Sequence, residues 1–561
     1  MSERQPIWRW LHKKNICLLL ATGFASGLAG CASIDSGGYE HYMAAAVAHQ
    51  QKLDEGPTHT SVVVEAGKKG GAMLHSPPHR IVALGLSQAL LAGLENNSGL
   101  VVQRYAPSIA RTQVLAQRGV FDPIVSASAS STQTRSPAGS TDSDNNTTSV
   151  QAGISQYLPT GTTIAANANT GISHTSGGGG QTTDVNGGLT ITQALLRGGD
   201  LQANLASIRE AKLGVRISDY ELRGVAETTV DQIINAYWAY ALAQQNVSIL
   251  QTAVRVAREQ MHETRVLIRV GRIAGSQLPA SVAQLATENQ ALIAAQGVLQ
   301  TTRLNLLELI TPPRRAFWNK ELVLLNKPFV PAGRLAPLSE HLALAMKMSP
   351  LLNQAKLQIQ QGDLSVIQTR NGLLPVLNVF LALGKTGYSS DFGQATDNLN
   401  GPGYSIGGGL SFDYPLLNRS ADAAYESSEL SRDQLEASLA NLVQTIELAV
   451  RNNYITADTD RKQIGAAIAN TKAQAETLTA TQGQFRVGES TSLLVAQAQS
   501  NLLAAQLSQV QTVVNYLDAL AALYLEEGTL LERSGLSSPG AFPMRWHGPA
   551  WLRRWPDGAG P

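Results

Sequence analysis

The sequence predicts a mainly α-helical protein that also contains β-strands and consists of two internal structural repeats. Three observations support this fold class. The same landmarks occur twice in the same order, two long segments contain no proline, and shorter segments before them alternate apolar and polar residues. The chain has 561 residues, enough for two or more ordinary domains. Each copy is expected to comprise a short helix, strands and then two very long helices.

The N-terminus has the features of a bacterial export signal. Four basic residues precede the apolar or small run Ile16–Ala29, which is too short for an ordinary transmembrane helix. The next landmark, Leu28-Ala29-Gly30-Cys31, resembles the bacterial lipobox, in which a peptidase cuts before the cysteine and the thiol carries lipid. We expect a signal peptide at 1–30, lipidation at Cys31 and a lipid-anchored leader at 31–80. An ordinary signal peptide is the alternative.

Composition excludes several classes of protein. The formal net charge is +1 and no basic stripe occurs, which argues against a nucleic-acid-binding protein. Cys17 and Cys31 are the only cysteines, so a disulfide framework is excluded. No stretch after Cys31 is apolar for long enough to form a spanning helix, so a membrane crossing would require a closed β-barrel.

The repeats are defined by four pairs of landmarks. Two pairs lie 252 residues apart, one pair 221 and one pair 217. We expect the first repeat at 81–330, the second at 331–536 and a disordered tail at 537–561. The pairs are the helix starts at Leu86 and Leu338, the prolines Pro123 and Pro375, the Leu-Leu pairs at Leu195 and Leu416, and the Arg-Val-Gly triplets at Arg269 and Arg486.

The changes in offset locate the insertions. Between Pro123 and Leu195 the first copy has 31 more residues than the second. The polar run Ser136–Ser149 and the glycines Gly177–Gly180 fall in this window, and their composition predicts loops. The remaining difference of four residues is predicted to lie inside a helix, as a coiled-coil stutter.

Two proline-free segments, Asp200–Arg269 and Arg419–Val487, predict very long helices. A helix of this length would extend about 100 Å, far more than any globular core. Apolar residues along these and the following segments recur at alternating spacings of four and three, which is typical of a coiled-coil seam. They are Ala226, Val230, Ile233, Tyr237 and Tyr240 in the first copy and Leu435, Leu439, Leu442, Ile446, Leu503, Leu507, Val510, Val514, Leu517, Ala521 and Tyr524 in the second.

The segments before the long helices alternate with a period of two. Tyr404, Ile406, Leu410 and Phe412 would point to one side, and the small or polar residues between them to the other. The segment from Ile164 to Ser173 alternates in the same way. Transmembrane strands with lipid outside and a polar lumen fit this pattern. A soluble β-sandwich would show the same alternation, so both interpretations remain open.

The landmarks in their order resemble a known family. The export signal, "GVFDP", "LRGGD" opening a long helix and "RVG" at its far end, all but the signal duplicated, are similar to TolC-type outer-membrane efflux proteins over Ile81–Leu536. The resemblance implies that a homotrimer forms a transmembrane β-barrel continuous with a long α-helical coiled-coil barrel in the periplasm. It also implies that Arg269, Val270 and Gly271, with Arg486, Val487 and Gly488, form the helix turns at the adaptor end.

The function implied by this resemblance is passive export. The chain would be an outer-membrane channel subunit of a tripartite efflux or type I secretion system, extending into the periplasm. Its partners would be a periplasmic adaptor (membrane fusion) protein, an inner-membrane pump and outer-membrane lipid. No cofactor, metal, nucleic acid or enzymatic activity is expected. A lipid-anchored periplasmic coiled-coil scaffold without a pore is the alternative.

One departure from the family pattern concerns the pore constriction. Many relatives carry an aspartate shortly before an Ala-Gln pair after the second triplet, and threefold symmetry makes it an acidic ring. Here Gln497 precedes Ala498-Gln499, and Leu494 stands one turn earlier. We expect a constriction formed by Leu494 and Gln497, apolar and weakly selective for cations.

Catalytic and metal signals are weak. "GYSIG" fits the nucleophile-elbow pattern by letter, but Ser405 lies within an alternating segment where the motif requires a strand-to-helix turn. "GKT" at Gly384 lacks the earlier glycine of a phosphate-binding loop. The histidines of the leader lack the paired close spacing of a zinc site, so a solvated leader is the preferred interpretation. They are His41, His49, His59, His75 and His79.

Overall fold

The computed structural model describes residues 81–138, 141–175, 179–312, 318, 321–331 and 333–536. The predicted signal peptide, Cys31, the leader and the tail lie outside the described residues.

Each copy contains short helices, then strands, then a long helix followed by a helix about half as long. The strands are β1 (Ile81–Leu84), β2 (Ile124–Ala138), β3 (Thr141–Tyr157), β4 (Thr162–Thr175), β5 (Gly179–Ala194), β6 (Glu321–Leu324), β7 (Val376–Ser389) and β8 (Tyr404–Asp413). The helices are α1 (Leu86–Asn96), α2 (Ser98–Gln103), α3 (Tyr105–Arg118), α4 (Leu201–Asn204), α5 (Ala206–Arg269), α6 (Leu278–Ile310), α7 (Leu338–Met348), α8 (Pro350–Gly372), α9 (Phe392–Asp397), α10 (Arg419–Val487), α11 (Ser492–Glu527) and α12 (Leu530–Arg533).

The two long helices confirm the prediction from the proline-free segments. Helix α5 has 64 residues and α10 has 69. The predicted stutter is wrong, because the additional residues of the first copy precede the long helix. There Asp200 caps the separate short helix α4, its carboxylate accepting a hydrogen bond from the Gln202 amide at 3.0 Å. Helix α10 starts directly after Asn418, which adopts a left-handed conformation with φ of 39°.

Six strands form one antiparallel sheet in the order β2-β3-β4-β5-β7-β8. The predicted loop at Ser136–Ser149 is wrong, because all of it except residues 139–140, which are not described, belongs to β2 and β3. Gly179 and Gly180 likewise belong to β5. Serine, threonine and asparagine are typical of turns, but here the side chains bond across the strands. Ser130 and Ser149 hydroxyls lie 2.8 Å apart.

The strands account for the insertion of 31 residues. Strand β2 follows Pro123 in the first copy, and β7 follows the corresponding Pro375 in the second. Strand β5 ends just before Leu195 in the first copy, and β8 ends shortly before the corresponding Leu416 in the second. By this correspondence β3 and β4 are additional strands of the first copy, forming one extra hairpin.

The helices form a row beside the sheet. Near the sheet, the order of neighbouring packed helices is α3, α5, α8 and α10. Farther from the sheet, the order is α6, α5, α11 and α10. The row therefore ends at α3 and α6 on one side and at α10 on the other.

The predicted apolar seam forms the core of this row. Val230, Ile233, Leu439, Ile446 and Val514 are all buried. The small parallel β1–β6 sheet is fastened to α5, because the Tyr240 hydroxyl donates to the Leu322 carbonyl at 2.9 Å.

Candidate functional site

The six-stranded sheet has one apolar and one polar face. Because the strands pair without a change of register through their middle parts, residues of the same character lie side by side. The apolar face carries Val125, Ala127, Ala129, Val150, Ala152, Ile154, Ile164, Ala166, Ala168, Leu189, Ile191, Leu377, Val379, Leu381, Leu383, Ile406, Leu410 and Phe412.

The opposite face is small, polar and nearly uncharged. It carries Ser126, Ser128 and Ser130 from β2, Ser149, Gln151 and Gly153 from β3, Asn167 and Asn169 from β4, Asn186 and Gly188 from β5, Gly384 and Thr386 from β7, and Ser405, Gly407 and Gly409 from β8. Phe380 and Ala382 of β7 are apolar exceptions on this face. Asp184 and Asp413 are acidic exceptions, and Asp184 accepts a hydrogen bond from the Asn186 side-chain amide at 2.7 Å. Such a surface suits contact with water rather than a packed core.

Both Arg-Val-Gly triplets lie at the ends of long helices remote in sequence from the strands. Helix α5 ends at Arg269, and Gly271 follows with φ of +74°. Helix α10 ends at Val487, and Gly488 follows with φ of +86°. Nothing lies within 4 Å of a Cβ built on either glycine, so the positive φ alone is what disfavours a larger residue.

The structure brings the two turns together. Arg486 Nε lies 3.2 Å from Glu263 Oε1 on α5. The Ser492 amide donates to Gln277 Oε1 at 2.8 Å, and the Ser492 hydroxyl donates to the Gln277 carbonyl, also at 2.8 Å. Exposed Val270 and Val487 occupy the surface of this end.

Leu494 and Gln497 lie in the first two turns of α11. Thr491 caps this helix through a hydrogen bond from the Leu494 amide. The Leu494 side chain is 54% exposed in the single chain. The Gln497 side-chain amide is exposed and donates to Asn501 Oδ1 at 2.9 Å. Both side chains are therefore free to face a lumen or another copy of the chain.

The order of strands and helices recurs in a known protein family. The sequence profile described as outer membrane efflux protein matches residues 92–311 and 342–528, covering most of both repeats. The chain belongs to this outer membrane efflux protein family. The resemblance inferred from the sequence is therefore confirmed, and the family is one of outer-membrane efflux channels rather than enzymes.

Solved structures share the fold of this outer membrane efflux protein. CusC, a protein that forms a transmembrane channel, aligns with a TM-score of 0.60 at 14% identity, over 79% of this chain and 92% of CusC. The CmeC outer membrane channel of Campylobacter jejuni aligns at 0.59 and 16%, over 81% and 90%. The open MtrE outer membrane channel of Neisseria gonorrhoeae aligns at 0.58 and 17%, over 86% and 99%. No curated protein matches the chain.

The two short sequences of this outer membrane efflux protein that resemble catalytic motifs lie in strands. Ser405 sits inside β8, and Gly384, Lys385 and Thr386 sit inside β7, so neither motif has the turn into a helix that its chemistry requires. In the described ranges no group of three or more His, Cys, Asp and Glu is placed to hold a metal ion. The five leader histidines lie outside those ranges. Among the helices that the structure describes, none is long and apolar enough to span a membrane.

A buried ionic network was not predicted from the sequence. Arg223 is 1% exposed, and its guanidinium donates to Glu227 Oε1 at 3.0 Å, Glu532 Oε1 at 3.0 Å and the Gly528 carbonyl at 2.5 Å. Because these partners lie on α5, on α12 and just after α11, the network joins the first repeat to the end of the second. The only sequence signal was the Arg-Glu spacing of four, which occurs equally in exposed pairs.

A second network lies nearby. Glu527 is fully buried, and its carboxylate contacts the His341 ring, the Thr529 hydroxyl at 3.0 Å and Arg533 at 3.3 Å. Arg533 lies over the Tyr524 ring at 4.1 Å. These contacts fasten α7 and α12 to the end of α11.

Two carboxyl groups meet between α5 and α11. Burial, and then repulsion from Asp231, raise the pKa of Asp518 to about 7. Burial also raises the pKa of Asp231, opposed by a hydrogen bond from Asn235 at 3.0 Å. In each carboxyl one oxygen, Oδ1, is buried without a hydrogen-bond partner among the described residues.

A cavity of about 390 Å³ lies where sheet and helices meet. It is lined by the end of α3, the turn-side end of β3, the start of α5 and the end of α8. Arg197 enters it, with Nε donating to the Leu374 carbonyl at 2.7 Å. The Phe121 and Tyr157 rings stack at 5.7 Å on its border.

Proposed function

We propose that the chain is the outer-membrane subunit of a tripartite efflux or type I secretion system, a passive conduit from periplasm to exterior. Three copies would close the six-stranded sheet into a β-barrel and the helix row into a tube. The observation that carries the proposal is the division of the sheet into one apolar face and one mainly small and polar face, which is interrupted by Phe380 and Ala382 of β7. Lipid would contact the first face and water the second.

The edges of the helix row support association with further copies. Tyr105 and Ile109 on α3 are exposed one helical turn apart. On α6, Val282, Ile293 and Leu304 recur every eleven residues and therefore share one exposed face. These residues lie at the edge that α3 and α6 form.

The opposite edge, formed by α10, is also apolar. Leu430, Leu448 and Ile455 are exposed and, at spacings of 18 and 7, lie on one side of the helix. The unpaired edges of β2 and β8 lie at the same two ends, and they would pair antiparallel because the six strands alternate in direction. Apolar rows at both edges of an open layer fit a head-to-tail ring.

The adaptor end is assigned to the two joined turns that contain Arg269, Val270, Gly271, Arg486, Val487 and Gly488. A periplasmic adaptor would contact the exposed valines there, and an inner-membrane pump would supply the energy. Opening would be a shift of population between closed and open arrangements of these helix ends. Leu494 and Gln497 would form the constriction.

Purification and planar-bilayer recording test the proposal. We expect a heat-modifiable trimer in the outer-membrane fraction and conductance across a lipid bilayer. Because a closed constriction could suppress current, Leu494→Ser is recorded alongside the unmutated chain. A monomer in which neither form conducts would contradict the proposal and support the lipid-anchored scaffold.

A further inference from the structure

We propose that the β3–β4 hairpin widens the outer-membrane section of the pore, so that each protomer contributes six strands to the closed sheet. This inference rests on the proposed channel function and concerns the width of the outer opening of that pore. It assigns this width to the hairpin and leaves the proposed constriction in the helical tube unchanged.

The connections of the strands distinguish the hairpin from the other four. Strand β2 follows α3, β5 leads into α4 and α5, β7 follows α8, and β8 leads into α10. At that end β3 and β4 are joined only to each other. Their turn is closed by hydrogen bonds from the Leu158 amide to the Thr162 carbonyl at 2.8 Å and from the Gly161 amide to the Leu158 carbonyl at 2.9 Å.

The hairpin is continuous with the sheet on both sides. Strand β3 pairs with β2 along its whole register from Ile124–Ser155 to Ala138–Thr141, and β4 pairs with β5 from Thr162–Gln193 onward. Its apolar residues lie beside apolar residues of the flanking strands: Ala152 is opposite Ala127, and Ala166 is opposite Leu189. A hairpin folded into the lumen as a plug would have no use for a lipid-compatible face in this register.

A cavity lies beside the turn of the hairpin, between the hairpin and the helices. The cavity of about 390 Å³ is lined by Tyr157, by Gln117 at the end of α3 and by Asn204 at the end of α4. The hairpin turn covers this cavity, and the Asn204 side chain donates to the Pro159 carbonyl at 2.9 Å. Because no helix lies between β3 and β4 in the chain, the hairpin adds two strands to the sheet and no helix to the row.

The consequence is a wide outer opening of the pore, called the mouth below. Six strands from each of three protomers make eighteen, a number at which β-barrels enclose an aqueous channel. Barrel diameter grows roughly linearly with strand number, so this ring would be about 1.5 times as wide as one of four-stranded protomers. Because the polar face carries few charged residues, the mouth would select cargo only weakly by charge.

Deleting the hairpin tests the width. Removing residues 141–178 connects β2 through Gly139 and Ser140 to β5, the strand that would become its antiparallel neighbour. Polyethylene glycols of graded size, added on the outer side of a bilayer, report the width of the mouth. We expect the largest polymer that enters to have about two thirds of the diameter admitted by the full chain. Pores with an unchanged size limit would overturn the inference.

If the shortened chain forms no pore, single cysteines in the full-length chain test whether β3 and β4 belong to the membrane-spanning sheet. Ala152→Cys and Ala168→Cys should be shielded from a water-soluble maleimide and quenched by a lipid-borne quencher after fluorescent labelling. Their neighbours Gln151→Cys and Asn167→Cys should react at least tenfold faster with the maleimide. Equal water access at all four positions would overturn the inference. If the full chain forms no pore, the proposed function itself fails.

Discussion

Two glycines end the long helices with backbone angles that other residues adopt only under strain. Gly271 and Gly488 have φ of +74° and +86°, and neither is crowded by neighbouring atoms. A side chain at either position therefore meets a conformational penalty but no steric clash. These two positions separate the effect of backbone geometry from the effect of packing.

The first prediction is that Gly488→Val or Gly271→Val costs on the order of 1 kcal/mol or more at the turn. Export and cross-linking to the adaptor should decrease while the amount of expressed protein is still normal. Gly483→Val is the matched control, because Gly483 lies inside α10 with open space around it and no positive φ. If both turn variants cross-link and export normally, the assignment of these turns to the adaptor is wrong.

The second prediction concerns ion selectivity. No carboxylate lies between Glu489 and Asp518, so the start of α11 offers amide dipoles and apolar side chains to the pore. We expect weak cation selectivity that does not change between about pH 4 and 7, the range in which a carboxylate ring would titrate. Gln497→Asp should raise cation selectivity, measured as the reversal potential in a salt gradient.

The same helix should hold the pore closed through apolar contact. Leu494→Ser should increase the leak of the closed channel, whereas Leu493→Ser makes the same change about 100° around the helix and should leak less. Strong, acid-titratable cation selectivity in the unmutated channel would place the constriction elsewhere in the chain.

The third prediction follows from the raised pKa of Asp518. Its folded-state pKa of about 7 exceeds the ordinary value, so the folded state binds the proton more tightly and loses stability as pH rises from about 4 to 7. Asp518→Asn should therefore stabilise the helices at pH 8, by on the order of 2 kcal/mol, and change little at pH 4. Thermal unfolding followed by circular dichroism at both pH values measures this. Equal stabilisation at the two pH values would show that Asp518 is ionised throughout.

At the scale of elements, α5 carries two Arg–Glu pairs of identical spacing in opposite environments. Arg223 and Glu227 are almost completely buried, whereas Arg255 and Glu259 are about two thirds exposed. A buried charge that loses its partner is far more costly than an exposed one. The comparison within one helix isolates burial from sequence spacing.

The fourth prediction is that Arg223→Met lowers the free energy of unfolding by about 3 kcal/mol, because Glu227 and Glu532 lose their shared cation. Arg255→Met should change it by less than about 0.5 kcal/mol. Adding Glu227→Gln to Arg223→Met should recover part of the loss, since an amide no longer buries a charge. Denaturation of the purified variants provides the comparison, and equal losses for the two arginines would contradict the role assigned to the network.

At the scale of the whole molecule, the apolar rows at Tyr105, Val282 and Leu448 leave the single chain with two incomplete edges. Further copies would cover them, and the Cys31 lipid would hold the assembly at the membrane. On this proposal the strands and a lipid at Cys31 would be two independent means of attachment, which can be separated experimentally.

The fifth prediction is that Cys31→Ser abolishes lipid labelling while the strands still allow insertion into the outer membrane. Radiolabelled fatty acid and mass spectrometry of the mature N-terminus provide the measurement, with membrane fractionation as the second readout. An unmodified residue other than Cys31 at the mature N-terminus would disprove the lipoprotein assignment.

The sequence alone determined the repeats, the long helices and the alternating strands. These features depend on local periodicity: absence of proline permits α10 to run from Arg419 to Val487, and Tyr404 to Phe412 alternate because a strand has a period of two. The family resemblance also followed from the order of local landmarks, and it is confirmed by the match to both repeats.

The tertiary structure decided what depends on pairing between distant residues. Ser136–Ser149 has the composition of a loop, and only its pairing partners make most of it strand. The spacing of Arg223 and Glu227 is the same as that of Arg255 and Glu259, and only the packing of α11 and α12 against α5 buries one pair. Local sequence fixes periodicity, but burial and strand pairing are set by segments hundreds of residues apart, and no short window contains that information.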